Sequence, residues 1–240
     1  MYPIFRAKLK MIKFFRKYIF LSIVILVISI IVITLMIKIV TPDRVLPVYQ
    51  PSQIDTQLVD TTVQYIRKYH KIGDFELKNQ NGNLITQKNY EGKIYVADFF
   101  FTTCQTICIP MKKNMLILQE ALKDDDEVLL LSHTVMPEID TVEQLRKFAD
   151  EQGIIDSKWN LLTGDKKQIY DLARKSYLVA KDDEFSDYDL IHTENFVLID
   201  SKKRIRGYYD GTDEKAINEL LEDIKILKQE EQERREEIHS

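Results

Sequence analysis

Of 240 residues only two are cysteine, Cys104 and Cys108, in the stretch FFFTTCQTICIPM. A disulfide framework built on distant pairs is therefore excluded. Joining these two across three residues would remove little unfolded-state entropy, because stabilisation by a crosslink grows with loop length. The pair suits chemistry better than stapling. The first 40 residues hold no acid, yet seven of the 34 Lys and Arg residues fall there. The remainder carries 27 basic and 38 acidic residues, a formal charge of −11. That balance argues against a nucleic-acid partner. No internal repeat is apparent, and no proline follows Pro137.

What is present begins with YIFLSIVILVISIIVITLMI, 20 residues from Tyr18 to Ile37 without a charge. About 20 residues at 1.5 Å rise span the hydrocarbon core of a bilayer. Ser22, Ser29 and Thr34 can bond back to their own helix carbonyls and do not spoil the span. The run is longer than a signal-peptide core, and the KIVTPDRV that follows offers no small-residue cleavage site. An uncleaved anchor over 18–40 is expected. The basic segment 1–17 (Arg6, Lys8, Lys10, Lys13, Arg16, Lys17) should stay in the cytoplasm. The chain would then cross an inner or plasma membrane once, with the rest in the periplasm or outside. Residues 41–70, with Pro42, Pro47 and Pro51, read as a linker carrying a short helix around 57–67.

From Ile72 the punctuation becomes regular. FELKNQNGNLIT alternates around Asn81-Gly82 and predicts a type I′ hairpin. KIYVADFFF (93–101) is, after Lys93, an apolar run apart from Asp98, as a buried central strand would be. EVLLLSHTV (127–135) and KWNLLTG (158–164) are further strands. DTVEQLRKFADEQG (140–153) reads as a helix with an Asp cap and a Gly stop. DKKQIYDLARKSY (165–177) is another helix, and ENFVLIDSKKRIRGYYDG (194–211) a hairpin turning at Asp200–Lys203. A long amphipathic helix covers 212–237 and should fray into solvent from Gln229. The order is a hairpin, βαβαβα, ββ and α. It predicts a thioredoxin-like α/β sandwich over 71–228, with an N-terminal β-hairpin extension and a charged tail at 229–240.

Cys104 follows the carboxyl end of a buried strand, where reactive groups gather in open α/β sheets. Pro110 is tolerated only in a first helical turn, which starts the helix near 108–110 and leaves Cys104 on the preceding loop. A helix N-terminus favours a thiolate. Two sulfurs at this spacing can face one ion or form a disulfide. As soft ligands they select Cu(I), zinc or an iron–sulfur cluster, and two alone leave a metal undercoordinated. Of four histidines, His70 and His239 read as surface residues. His133 ends its strand beside the cysteine loop, as a surface group or an outer-shell contact. His192 precedes the strand NFVLID, where a dithiol oxidoreductase of this fold carries a cis-proline that this chain lacks. It is the candidate third ligand. AKDDEFSDYD (180–189) leads to it and reads as a solvated loop, with cation guidance the alternative.

FFFTTCQTIC after one buried strand, LLSHTVMPEIDT after the next, LLTGD before a helix and IHTENFVLID before a strand together resemble the Sco/SenC family of copper metallochaperones. The resemblance covers about 71–227. It implies a thioredoxin-like fold, copper as Cu(I) or Cu(II), and Cys104, Cys108 and His192 as its ligands. It also implies a role in building the copper A centre of cytochrome c oxidase. The oxidase copper A subunit, and other copper chaperones or thiol reductants, would be partners. The chain departs from the family pattern at Gln105 and Ile109, where proline often follows each cysteine, and at Ile191, where an acid often precedes the histidine. Asp189 or Glu194 could replace that acid. The reading favours binding and transfer over enzymic turnover. The alternative is a thiol–disulfide oxidoreductase with Cys104 as nucleophile and Cys108 resolving.

Overall fold

Apolar runs and turn residues set the element order in a computed structural model that describes residues 3–40, 44–54, 60–180 and 193–239. The chain divides into two units, Met1–Arg44 and Val45–Ser240. The first is one helix, α1 (Pro3–Val40). Its stretch Tyr18–Met36 has a mean hydropathy of 3.2 and is long and apolar enough to cross a membrane. The Thr34 hydroxyl donates to the Ile30 and Ile31 carbonyls at 2.9 and 2.8 Å, which removes its cost in an apolar medium.

The second unit opens with a hairpin of β1 (Glu76–Asn79) and β2 (Leu84–Thr86). There follow β3 (Ile94–Phe100), α2 (Cys108–Leu122), β4 (Val128–Thr134), α3 (Val142–Gln152), β5 (Trp159–Thr163) and α4 (Lys166–Asp171). The hairpin β6 (Asn195–Ile199) and β7 (Ile205–Asp210), then α5 (Glu214–His239), complete it. One seven-stranded sheet has the order β2-β1-β5-β4-β3-β6-β7. Strands β3, β4 and β5 are parallel, and both hairpins add antiparallel strands at the edges. This is the expected thioredoxin-like sandwich with its N-terminal hairpin.

All of β3 is buried, so its side chains serve two cores. Ile94, Val96 and Phe100 pack with Met111, Met115 and Leu118 of α2 and with Leu220 and Ile224 of α5. Tyr95, Ala97 and Phe99 pack on the other face with Tyr170, Tyr177 and residues of the first hairpin.

Local chemistry differs from expectation at several points. The first hairpin is not type I′, because Asn81 keeps a negative φ and only Gly82 is positive, at 73°. The loop has three residues: the Asn79 carbonyl accepts from Gly82 N–H at 2.8 Å, and the Asn79 side chain accepts from Asn81 and Asn83. The cap of α3 is Thr141, which accepts from Gln144 N–H at 3.3 Å, and Gly153 stops the helix at φ 69° as expected. Asp140 is occupied elsewhere, as described below. The tail does not fray at Gln229: α5 stays helical to His239, Glu231 is buried and accepts from Ser201, and Arg235 reaches Glu127.

Residues 45–54 are packed rather than free. Leu46 and Pro51 are buried, Tyr49 N–H donates to the Ile205 carbonyl on the outer side of β7, and Arg206 donates to the carbonyls of Leu46 and Pro47. Within the expected helix at 57–67, residues 60–67 are described, and 61–65 of them form turns rather than a helix. His70 is not a surface residue. It is 8% exposed, and its ring Nε2 meets the Ser176 carbonyl at 2.8 Å.

Candidate metal centre

The chain leaves β3 at Phe100, turns, and enters α2 at Cys108. The turn is fixed from below by a carboxylate. Asp140, fully buried, accepts from Thr102 N–H at 3.1 Å, from the Thr102 hydroxyl at 2.5 Å and from the Thr134 hydroxyl. One side chain thus ties the residue leaving β3 to the last residue of β4. Cys104 N–H then donates to the Phe101 carbonyl at 3.3 Å and closes the loop.

Both cysteines are free thiols and partly exposed. They lie close enough to share a hydrogen bond, and the Thr106 hydroxyl stands 3.7 Å from Cys104 Sγ. Their proton affinities are driven apart. Partial burial raises Cys104, but hydrogen bonds from the Cys108 thiol, the Thr106 and Cys108 backbone and the Thr106 hydroxyl outweigh it and hold the thiol below its ordinary value. Burial, then the hydrogen bond it gives to Cys104, pushes Cys108 up to about 12. Near neutral pH, iodoacetamide should therefore consume Cys104 at least about tenfold faster than Cys108. Peptide mapping of the alkylated chain checks this, and equal labelling of the two would refute the split.

The cysteines edge a small cleft of about 40 Å³, mostly apolar but lined also by Asp98 and Ser132. Asp98, the one charge in the β3 run, is buried there and accepts from the Ser132 hydroxyl, which in turn accepts from Trp159 Nε1 at 2.8 Å. Burial pushes Asp98 up to about 7, partly offset by Ser132, and its negative charge helps Cys108 keep its proton. In the sequence Asp98 stands only as an exception in an apolar run, and Asp140 reads as a cap. A lone acid inside a buried strand beside a dithiol was the available signal.

His133 neither contacts the cysteines nor reaches the surface. Its place on β4 is opposite Phe99, so it points to the face of the sheet away from α2. It is fully buried, stacked on Phe99 at 5.1 Å, and edge-on to Phe75. Burial lowers its pKa to about 3, so the ring stays neutral. His192 lies outside the described residues, as do Asp189, Ile191 and the acidic segment 181–189. Described residues resume at Thr193, which is buried, and Glu194, which is exposed. Strand β6 pairs antiparallel with β3, Val197 opposite Ala97, so it begins at the end of the sheet where β3 leads to Cys104. His239 ends α5. Among the described residues no group of three or more His, Cys, Asp or Glu is placed to hold a metal ion. The two thiols are a soft donor pair that fits copper and needs a further ligand.

The family model described as SCO1/SenC matches residues 63–229. The chain belongs to the SCO1/SenC family. A SCO1 protein homolog of Bacillus subtilis (strain 168) is 32% identical over 159 residues, 65% of this chain and 82% of the relative. Among solved structures, BsSco is 31% identical with a TM-score of 0.57, over 65% of this chain and 92% of its own. It is described for a disulfide switch, as a member of the Sco family of cytochrome c oxidase assembly proteins. ScoI of Arabidopsis thaliana, solved with copper bound, is 26% identical with a TM-score of 0.52, over 64% of this chain and 97% of its own. In this SCO1/SenC chain the cysteine pair therefore sits on a fold that relatives have been solved with copper on. Gln105 and Ile109 still allow α2 to begin at Cys108, with Pro110 in the first turn. Ile109, 54% exposed, leaves an apolar rim beside the thiols.

Proposed function

We propose that this chain is a membrane-anchored copper chaperone. It takes one copper as cargo on Cys104, Cys108 and His192, and delivers it to the copper A subunit of cytochrome c oxidase. Residues 18–40 anchor it, the N-terminus stays in the cytoplasm, and the unit from Val45 faces the periplasm or the outside. The observation that carries the reading is the pair of free, adjacent thiols on the loop after β3, held ready by Asp140 in a SCO1/SenC chain. One thiol gives up its proton easily and the other holds it, so the pair binds a soft ion with release of protons. Partial exposure leaves the sulfurs open to an incoming thiolate, which ligand exchange requires.

The test is native mass spectrometry of the reduced chain in detergent after addition of Cu(I). One copper per chain is expected, lost in Cys104→Ser and in Cys108→Ser and weakened in His192→Ala. A wild-type chain that holds no copper overturns the reading.

The split between the thiols favours a second reading, a dedicated thiol–disulfide oxidoreductase that keeps the cysteines of the copper-receiving subunit reduced. Cys104 would attack the partner disulfide as thiolate, and Cys108 would then displace it, leaving Cys104–Cys108 oxidised and the partner dithiol reduced. Such a reductase needs both cysteines and tolerates loss of His192, which separates the two readings in the same variants.

A further inference from the structure

A unit with a strong acidic surplus carries a basic cleft. Arg67, Lys68, Lys71 and Lys202 line it, together with Val48 and Tyr69, around about 410 Å³. All four cations are exposed, and none has an ion-pair partner among the described residues. Among the described residues, Asp74 is occupied by Lys203 at 2.9 Å, and Asp200 by Arg204 at 2.6 Å and Arg206 at 3.3 Å. Tyr69 is 90% exposed, with φ at 67°, a conformation that L residues with bulky side chains rarely adopt. With that exposure, its ring is not buried against the described residues. The residue after it is fixed instead: His70 N–H donates to the Gln50 side chain at 3.0 Å and its ring meets the Ser176 carbonyl. An aromatic ring is thus held out into solvent among unpaired cations.

We infer that this cleft docks the unit onto an anionic phospholipid surface, the cations meeting lipid phosphates and Tyr69 entering the headgroup layer. The inference rests on reading residues 18–40 as a membrane anchor. Chain length supports it. Only residues 41–47 separate that anchor from Val48 in the cleft, and seven residues reach at most about 25 Å. A tether of that length leaves the cleft within reach of the surface that such an anchor would cross. Lys and Arg beside an anionic bilayer are drawn to it, the attraction decays within a Debye length, and tyrosine is enriched at the headgroup level. The acidic remainder of the unit would be repelled by the same surface, which orients the unit as well as holding it.

The experiment is lysine acylation footprinting of the full chain in nanodiscs, of phosphatidylcholine alone or mixed with phosphatidylglycerol, read by mass spectrometry. Lys68, Lys71 and Lys202 should react at least about threefold more slowly in the anionic discs. High salt should restore the rate. Lys113 on α2 and Lys225 on α5 should react alike in both. In Lys68→Glu/Lys71→Glu, protection of Lys202 should be lost. Equal rates in the two discs overturn the inference, as does protection of Lys202 that survives the charge reversal. Inorganic phosphate protecting the three lysines equally well in neutral discs would assign the cleft to soluble anions and overturn the lipid surface. A chain that fails to enter discs at all fails the anchor reading, and the inference falls with it. The copper reading is untouched by any of these outcomes.

Discussion

Arg206→Met should lower the stability of the Val45–Ser240 unit by roughly 3–5 kcal/mol, because it leaves buried polar groups without their cation. The guanidinium is 2% exposed. It donates to Glu230 at 2.5 Å, to Asp200 at 3.3 Å, and to the carbonyls of Leu46 and Pro47 at 2.8 and 2.9 Å. Asp200 would retain Arg204, so the loss falls mainly on Glu230 and on the two carbonyls, toward the lower end of that range. For a unit of this size the melting temperature should fall by roughly 6–20 °C. Trp159 is the single tryptophan and is buried, so its fluorescence in a urea titration reports unfolding of this unit. Adding Glu230→Gln should restore part of the loss, since the uncompensated charge is then removed. A change below about 1 kcal/mol would mean that the cluster behaves as a solvated surface pair.

The second large effect depends on pH. The folded-state pKa of Asp98 is raised to about 7 from an ordinary 3.8, so between these values the native state holds a proton that the unfolded chain has lost. Stability should therefore fall as pH rises from about 4 to about 7. The penalty is absent below that window and complete above it. At 1.36 kcal/mol per pKa unit it is on the order of 4 kcal/mol. Asp98→Asn keeps the shape and an acceptor for Ser132 but cannot ionise. The variant should gain on the wild type by a few kcal/mol at pH 8 relative to pH 4.5, in parallel urea titrations. Curves that stay parallel across that range would show that Asp98 titrates normally. A buried carboxyl that weakens the fold at neutral pH, beside a thiol that it helps keep protonated, is more readily understood as part of the site than of the scaffold.

The central strands were legible because their apolar runs, 94–100 and 128–134, are long enough to leave one interpretation. The loop position of Cys104 was legible from Pro110. What failed were choices between chemically equivalent neighbours and contacts between distant segments. Asp140 and Thr141 can each cap α3, and only the arrival of Thr102 and Thr134 decides which is free to do so. Asn81-Gly82 suits a two-residue turn, but Gln80 is drawn inward, accepting from Leu161 N–H and donating to the Trp159 carbonyl, which lengthens the loop. The stretch 45–54 and the charged end of α5 each looked solvated alone, and it is Arg206 that brings them together. His70 and His133 carry no local mark of burial. Of the candidate ligands, the structure describes the two thiols, while His192 lies outside the described residues.

The segment packed along β7 has a further consequence. A sheet ends in unpaired backbone groups that invite another strand. Here β2 is only three residues long, and the free side of β7 is met by Tyr49. If residues 18–40 anchor the chain as proposed, copies would meet in two dimensions, and blunted edges would keep them from pairing strand to strand. A fragment begun at residue 71 would uncover that edge and offer a template for edge-to-edge pairing. One begun at residue 45 would keep its own stopper.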